Sequence, residues 1–179
     1  MKTLVVYYSR KGSNRYLAER VATALGAPLE ELTPRNRLFG WLLVASASKL
    51  GVGVRRLKTD PGEYDRIVLV GPIWMGTVVA PLYRFIKKYD GSIKRLVFVT
   101  CCGSEDAHKT DKFGYETVFA KMRELLGDRF GGGFALPITL AVEKTENMNE
   151  AVMTTRLGDD NFKGAVAERF EAIVASMGR

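Results

Sequence analysis

The sequence predicts an α/β fold, a three-layer sandwich in which a five-stranded parallel sheet lies between two layers of helices. Five short β-rich apolar runs occur along the chain, and stretches with helical spacing of apolar residues separate them. Continuous apolar runs are typical of strands buried on both faces, and right-handed crossovers cover both faces of a parallel sheet with helices. The length of 179 residues, of which 46% are hydrophobic, predicts a single domain over residues 1–179.

The first elements are a strand at Leu4–Tyr8 and a helix with apolar residues spaced along Tyr16–Leu25, which ends at Gly26. A weaker second strand is predicted at Leu29–Leu32. Residues 34–59 break the alternation and are interpreted as an irregular, partly helical excursion with an apolar stretch in its middle.

The alternation of strands and helices resumes after the excursion. The remaining predicted elements are a strand at Ile67–Gly71, a helix at Val79–Ile86, a strand at Leu96–Thr100, a helix at Val118–Leu126, a strand at Phe134–Val142 and a helix at Asn161–Met177. Pro137 interrupts the fifth strand near its start, and the glycines at 131–133 are interpreted as a flexible hinge before it.

The loops that follow three of these strands form the candidate binding site. In open parallel sheets a ligand binds beyond the carboxyl ends of the strands, and these loops are rich in Gly, Ser, Thr and aromatic residues. The candidate ligand-binding residues are Ser9, Arg10, Lys11, Gly12, Ser13, Asn14, Pro72, Ile73, Trp74, Met75, Gly76, Cys101, Cys102 and Gly103.

The first loop has the composition of a phosphate site. It joins a buried strand to the positive end of a helix, Gly12 allows a close backbone approach, and Ser9, Ser13 and Asn14 can donate hydrogen bonds. The loop matches neither GxGxxG nor GxxxxGK[ST], which disfavours a dinucleotide fold and an ATP-hydrolysing P-loop. An ordinary capped turn between strand and helix is the alternative reading.

The same loop resembles that of the flavodoxin-like family, in which a (T/S)-x-T-G-N-T pattern wraps the phosphate of flavin mononucleotide (FMN). Ser9 and Gly12 match this pattern. Lys11 stands where a threonine is usual, and Ser13-Asn14 stands where Asn-Thr is usual. The resemblance implies an FMN phosphate site, to which Lys11 brings charge in place of a hydroxyl group.

The second loop carries the more specific resemblance. Tyr64-Asp65, a strand and then Gly71-Pro72-Ile73-Trp74-Met75-Gly76 are similar to the segment of the family that contacts the flavin ring. A planar ring is bound well by an aromatic side chain and by backbone N–H groups at its polar edge. Trp74 between Pro72 and Gly76 offers both, and a core tryptophan under a loop is the alternative.

The third loop, Thr100–Ser104, occupies the position that in the family touches the pyrimidine edge of the ring. Phe113 and Tyr115 are candidates for an aromatic residue that often follows. Cys101 is interpreted as a buried strand end, because neither a base nor a resolving cysteine is visible near it. The sequence shows no Cys/His spacing for a metal, and no catalytic residue is assigned.

The net charge of +7, from 27 Lys and Arg against 20 Asp and Glu, is concentrated in one segment. Residues 33–59 hold six bases and no acid, namely Arg35, Arg37, Lys49, Arg55, Arg56 and Lys58. Basic flanks around an apolar stretch predict an interfacial helix on an anionic membrane, an acidic protein partner, or a crossover helix with solvated ends. No nucleic acid partner is expected, since no basic stripe interleaved with aromatic residues occurs.

The resemblance implies an FMN-binding redox protein of flavodoxin type that exchanges electrons with a partner protein or a small-molecule acceptor. The alternatives are an NAD(P)H-dependent quinone reductase with FMN and a flavodoxin-like interaction module without flavin. The basic balance predicts a higher flavin potential than that of an acidic carrier. Two adjacent cysteines and no targeting segment predict a cytoplasmic location.

Overall fold

The computed structural model describes residues 1–36, 38–48, 52–143 and 145–178. Seven short β-rich segments form strands in these residues. They are β1 (Thr3–Tyr7), β2 (Leu29–Glu31), β3 (Arg66–Val70), β4 (Ile73–Trp74), β5 (Thr77–Val78), β6 (Leu96–Cys102) and β7 (Phe130–Pro137). The strands predicted in the first half of the chain therefore agree with those observed to within one residue at either end.

Five of the strands form one parallel sheet in the order β2-β1-β3-β6-β7. The chain runs from β1 outward to β2, returns past β1 to β3 and continues outward to β7, so the direction of winding reverses at β1. The carboxyl ends of β1, β3 and β6 consequently lie side by side, which is where such a sheet binds its ligand. The two remaining strands, β4 and β5, pair as a small antiparallel hairpin.

Helices cover both faces of the sheet, as predicted. They are α1 (Ser13–Leu25), α2 (Phe39–Ala47), α3 (Ala80–Lys88), α4 (Tyr115–Leu126), α5 (Met148–Thr154) and α6 (Ala165–Met177). Residues of α2, α3 and α4 share one buried apolar cluster with alternate strand residues such as Leu4 and Val6. Residues of α1 and α6 share the other with Val5 and Tyr7. Successive residues of β1 enter different clusters because side chains along a strand point alternately to the two faces of the sheet.

The fifth strand of the sheet lies earlier in the chain than predicted. It covers Phe130–Pro137, and the residues after Pro137 form a 3₁₀ turn at Ile138–Ala141. The predicted hinge at 131–133 is wrong, because these glycines belong to β7: Gly132 and Gly133 pair with Val97 and Phe98 of β6, and Gly131 lies at a bulge before them. A Cβ atom at Gly133 would overlap the ring of Phe119 on α4. Close packing against a neighbouring helix therefore explains the glycine better than flexibility does.

Three further differences concern element boundaries. The strand predicted at Leu96–Thr100 continues through Cys102, so the third loop begins at Gly103. The last helix begins at Ala165 and not at Asn161. The Asn161 side chain accepts from the Gly158 N–H and donates to the Arg156 carbonyl oxygen. The β4–β5 hairpin and α5 were not predicted.

The excursion at 34–59 is partly helical, as predicted, and contains α2. Its two ends meet in an antiparallel bridge between Pro34 and Val54. Two of the six basic residues of this segment, Arg37 and Lys49, lie outside the described residues. No helix in the described parts of the chain has both the length and the hydrophobicity needed to span a membrane.

Candidate functional site

A cavity of about 440 Å³ lies at the carboxyl ends of the central strands. The three predicted loops converge on it. The predicted residues that line it are Ser9, Arg10, Lys11, Ser13, Asn14, Pro72, Ile73, Trp74, Met75, Cys101, Cys102 and Gly103. Gly12 and Gly76 are not among the lining residues and instead shape the turns that carry them. The assignment of these residues to ligand binding stays a prediction, but the structure brings them to one place.

The first loop leads directly into α1. Gly12 has a φ of +104°, a conformation that disfavours residues with a Cβ atom, and its N–H donates to the Ser9 Oγ atom at 3.2 Å. No side chain in the described residues caps α1. The N–H groups of the first helical turn are therefore left to donate to a ligand, and the positive end of the helix faces the loop.

Asn14 joins the first loop to the third. Its side chain is buried, Nδ2 donates to the Cys101 carbonyl oxygen at 2.9 Å, and Oδ1 accepts from the Cys101 N–H at 2.8 Å. The predicted role of this amide was to donate to the ligand. The geometry gives it a different one, since the paired hydrogen bonds fix the distance between two walls of the cavity.

The second loop is the β4–β5 hairpin, and its turn is Met75-Gly76. Both residues have positive φ, +50° and +67°, as two-residue hairpin turns of type I′ require. A Cβ atom at Gly76 would overlap the Lys112 carbonyl oxygen, and the Lys121 ammonium group donates to the Gly76 carbonyl at 2.7 Å. The turn is therefore held from outside while Trp74, partly buried against the core, lines the cavity.

The third wall is the end of β6. Cys101 and Cys102 are both buried, and burial raises the pKa of both thiols, that of Cys102 to about 12. Both side chains are consequently neutral near pH 7, as the interpretation of Cys101 as a buried strand end requires. Phe113 and Tyr115 do not line the cavity in the described residues.

A fourth wall was missed by the sequence analysis. It consists of Ile138, directly after β7, and of Val152, Met153, Thr155 and Arg156, from α5 and the residues that follow it. The Leu157 N–H donates to the Ser13 Oγ atom at 3.1 Å, which ties this wall to the first loop. One sequence signal could have revealed α5. The side-chain oxygen of Asn147 caps the helix by accepting from the Glu150 N–H, and its side-chain Nδ2 donates to the Glu150 carboxylate, so the Asn-x-x-Glu sequence has the residue spacing of a capping box.

The electrostatics of the cavity favour an anionic ligand. Among the described residues that line it are three cations, Arg10, Lys11 and Arg156, and no Asp or Glu. The Arg156 guanidinium donates to the Thr155 carbonyl oxygen at 2.6 Å, which holds the group beside the wall. His108 lies outside this site, exposed to solvent with Nδ1 3.0 Å from the Asp111 carboxylate.

Comparisons with known proteins support the fold. No family model and no curated protein sequence matches the chain. Similar solved structures include a candidate flavoprotein from Bacteroides eggerthii, with a TM-score of 0.63, 20% identity and coverage of 75% of this chain and 87% of that one. A flavoprotein in complex with FMN from Lactobacillus acidophilus has a TM-score of 0.58, 16% identity and coverage of 75% and 91%.

A third similar structure covers almost the whole length of both chains. It is a flavodoxin, WrbA-like protein from Agrobacterium tumefaciens, with a TM-score of 0.52, 16% identity and coverage of 99% of this chain and 98% of that one. At these identities the likeness concerns the fold. The strand order and the two helical layers agree with it, and the chain has the flavodoxin-like fold that its loops resemble.

Proposed function

We propose that the cavity binds FMN and that the protein transfers electrons through the bound flavin. One observation carries this proposal: three strand-end loops converge on one cavity, two of them resembling the family's flavin loops in sequence and the third in position. Its volume of about 440 Å³ falls within the roughly 300–1,000 Å³ range of small-molecule sites. The FMN complex of the similar Lactobacillus acidophilus flavoprotein adds support.

The first loop fits the phosphate group of FMN. The uncapped start of α1 supplies backbone donors, and the hydroxyl groups of Ser9 and Ser13 accept from backbone N–H groups, which leaves their hydrogens to donate. Lys11 and Arg10 add positive charge at the same end of the cavity. A dianionic phosphate would satisfy these donors together, whereas a neutral ligand would leave them solvated.

The second loop fits the flavin ring. Trp74 presents an aromatic surface to the cavity, and Pro72, Ile73 and Met75 surround it with apolar groups. Gly103 at the far side lets the backbone approach a flat ligand closely, and its nearest side-chain neighbour is Val152 of α5. These groups would hold the ring and keep water from it.

Bound FMN would supply hydride and one-electron chemistry, and the chain would tune it. Three cations and no acid line the described cavity, so negative charge that develops in it is stabilised. We therefore expect the midpoint potential of bound FMN to lie above that of free FMN. Both buried thiols are neutral, so neither offers a competing thiolate donor.

The test is a fluorescence titration of the purified chain with FMN and, separately, with riboflavin, which lacks the phosphate. We expect FMN to bind at least about tenfold more tightly, equivalent to about 1.4 kcal/mol. Absence of binding by either flavin would overturn the proposal, and equal binding of the two would overturn the phosphate assignment. For the carrier role, the FMN-loaded protein should not oxidise NADH or NADPH directly, and rapid turnover with a quinone would identify a reductase instead.

A further inference from the structure

The helix α2 presents apolar side chains on a side that the protein does not cover. Leu38, Trp41 and Val44 recur at three-residue spacing and are 70%, 45% and 55% exposed. On its other side Leu42 and Ala45 are buried in the core against α3 and β5. A helix that is apolar on both sides is expected to bury the second side against another apolar partner.

Positive charge lies on the two chain segments that flank α2. The two legs of the excursion are paired, since the Arg35 N–H donates to the Gly53 carbonyl at 2.7 Å and the Arg55 N–H to the Thr33 carbonyl at 2.9 Å. The pairing places Arg35 opposite Gly53 and Arg55 opposite Thr33, so these two arginines lie diagonally across one short bridge, and Arg56 follows Arg55 in the chain. These side chains and that of Lys58 are exposed. We call Leu38, Trp41, Val44 and these four bases the α2 surface.

The charges of the α2 surface are not neutralised within the protein. In the described stretches of the chain, none of its four bases forms an ion pair within 4.0 Å. The neighbouring acid, Glu30, accepts from the backbone N–H groups of Lys58 and Thr59 with its two carboxylate oxygens. The electrostatic complement of the surface is therefore negative and external.

We propose that the α2 surface docks on an anionic lipid bilayer, with α2 lying in the interfacial plane. An exposed apolar stripe bearing a tryptophan and flanked by arginines is the composition that buries in the boundary between headgroups and acyl chains. Each base near an anionic leaflet adds attraction that salt screens. The stripe extends from the N-cap residue of α2 into the helix, and no acidic residue in the segment repels the lipid headgroups.

The charge component is tested by co-sedimentation with vesicles of phosphatidylcholine alone and of phosphatidylcholine mixed with phosphatidylglycerol. We expect binding to the mixed vesicles only, and a loss of about tenfold or more in the double variant Arg55→Gln/Arg56→Gln. The matched control Arg20→Gln/Lys163→Gln removes two exposed charges from the opposite face of the sheet and should bind like the wild type. Equal loss in both variants would overturn the site.

The apolar component is tested with brominated lipids, which quench tryptophan fluorescence on contact. We expect the mixed vesicles to quench the wild-type protein, and Trp41→Phe to bind them but lose most of the quenching. Trp41→Ser should weaken binding, since it removes apolar area from the stripe. Quenching that persists in Trp41→Phe would come from Trp74 and would overturn the orientation proposed for α2.

Two other occupants would give different results. A second copy of the chain on this surface would appear as a dimer in analytical ultracentrifugation, dissociated by Trp41→Ser. If the surface serves an acidic protein partner, the arginines matter and the apolar stripe does not. Any vesicle binding would then depend on charge alone, and Trp41→Ser would leave it unchanged. Either result would overturn the proposal, and neither depends on whether the cavity binds FMN.

Discussion

The cavity and the α2 surface are both rich in bases and each contains one tryptophan, but their polar and apolar groups are arranged oppositely. In the cavity, Trp74 is partly buried, and hydrogen bonds such as those of Asn14 tie the walls to one another. On the α2 surface, Trp41 is exposed and the arginines have no acidic partner in the described residues. Similar residue types therefore line a cavity in one place and lie exposed along a helix in the other.

The cause of this difference is topological. The loops of the cavity follow strands that end side by side in the sheet, so three separate segments must meet there. The α2 surface lies in a crossover between β2 and β3, and only one side of that crossover packs against the sheet. The composition of each region predicts its positive charge. Whether the charged residues line a cavity or lie on the surface depends on which strands the segment connects.

The largest effect should come from breaking the tie between the walls of the cavity. Asn14→Ala removes two buried hydrogen bonds and leaves the N–H and carbonyl groups of Cys101 without partners. We expect the free energy of unfolding to fall by about 2–4 kcal/mol. Urea unfolding measures this, with Thr23→Ala as the control on the same helix, since its hydrogen bond to the Glu19 carbonyl is exposed. Equal loss in the two variants would contradict a special role for Asn14.

Replacing each tryptophan in turn by alanine tests whether the cavity and the α2 surface are separate sites. Trp74→Ala should weaken FMN binding by about a hundredfold, because the aromatic surface at the cavity is lost. Trp41→Ala should leave FMN affinity unchanged, because α2 does not line the cavity in the described residues. Flavin fluorescence titrations of both variants measure the difference. A similar loss in both would mean that the two regions are not separate sites.

The phosphate end of the cavity should show a smaller effect. Ser9→Ala combined with Ser13→Ala should weaken FMN binding by about 2 kcal/mol, about 1 kcal/mol for each lost hydrogen bond. Riboflavin, which has no phosphate, is the control and should lose less affinity than FMN, because its binding reports only the loss of the hydrogen bonds that Ser9 and Ser13 accept within the protein. If both flavins lost affinity equally, the loop would shape the cavity without contacting the phosphate.

The pH dependence of stability, which is absent at neutral pH, distinguishes the buried thiols of the cavity from the exposed charges of the α2 surface. Burial holds the pKa of Cys101 and Cys102 above the ordinary value of 9.0, so the folded chain keeps thiol protons that the unfolded chain loses. Stability should therefore be unaffected below about pH 8 and fall above pH 9, by at most about 1.4 kcal/mol per pH unit and thiol.

Urea unfolding at pH 8 and pH 10 measures this loss. Tyrosines whose pKa values burial also raises, such as Tyr115, contribute at the upper end of the range. Cys101→Ala/Cys102→Ala should therefore reduce the pH-dependent loss without abolishing it. Lipid binding by the α2 surface should instead respond to salt and not to this pH change. An unchanged pH dependence in the cysteine variant would show that the thiols do not titrate between the folded and unfolded states as proposed.

Much of the sheet could be predicted from the sequence because its strands are continuous apolar runs separated by helical patterns. Strand β7, which begins earlier than predicted, contains three consecutive glycines that carry no apolar signal. The side chain of Arg95 packs against the first of them and that of Phe119 against the third. Those contacts join segments distant in sequence. No local pattern at residues 131–133 indicates them.

The cavity could be predicted only in part, for similar reasons. The strands of the β4–β5 hairpin are two residues long, too short to show an alternation, and its turn places Met75 rather than the usual Asn or Asp at positive φ. Helix α5 has no buried residue among those described, so it lacks the apolar stripe of the other helices. The partner of Asn14 lies 87 positions away, and that pairing has no local sequence signal.

The binding of FMN is tested most directly by the visible absorption spectrum of the purified chain after incubation with excess FMN and removal of unbound flavin by gel filtration. We predict a yellow protein with stoichiometric flavin and with absorption bands shifted from those of free FMN by the surroundings of Trp74. A folded protein that emerges colourless, with all of the flavin in the later small-molecule fraction, would contradict the assignment of the cavity.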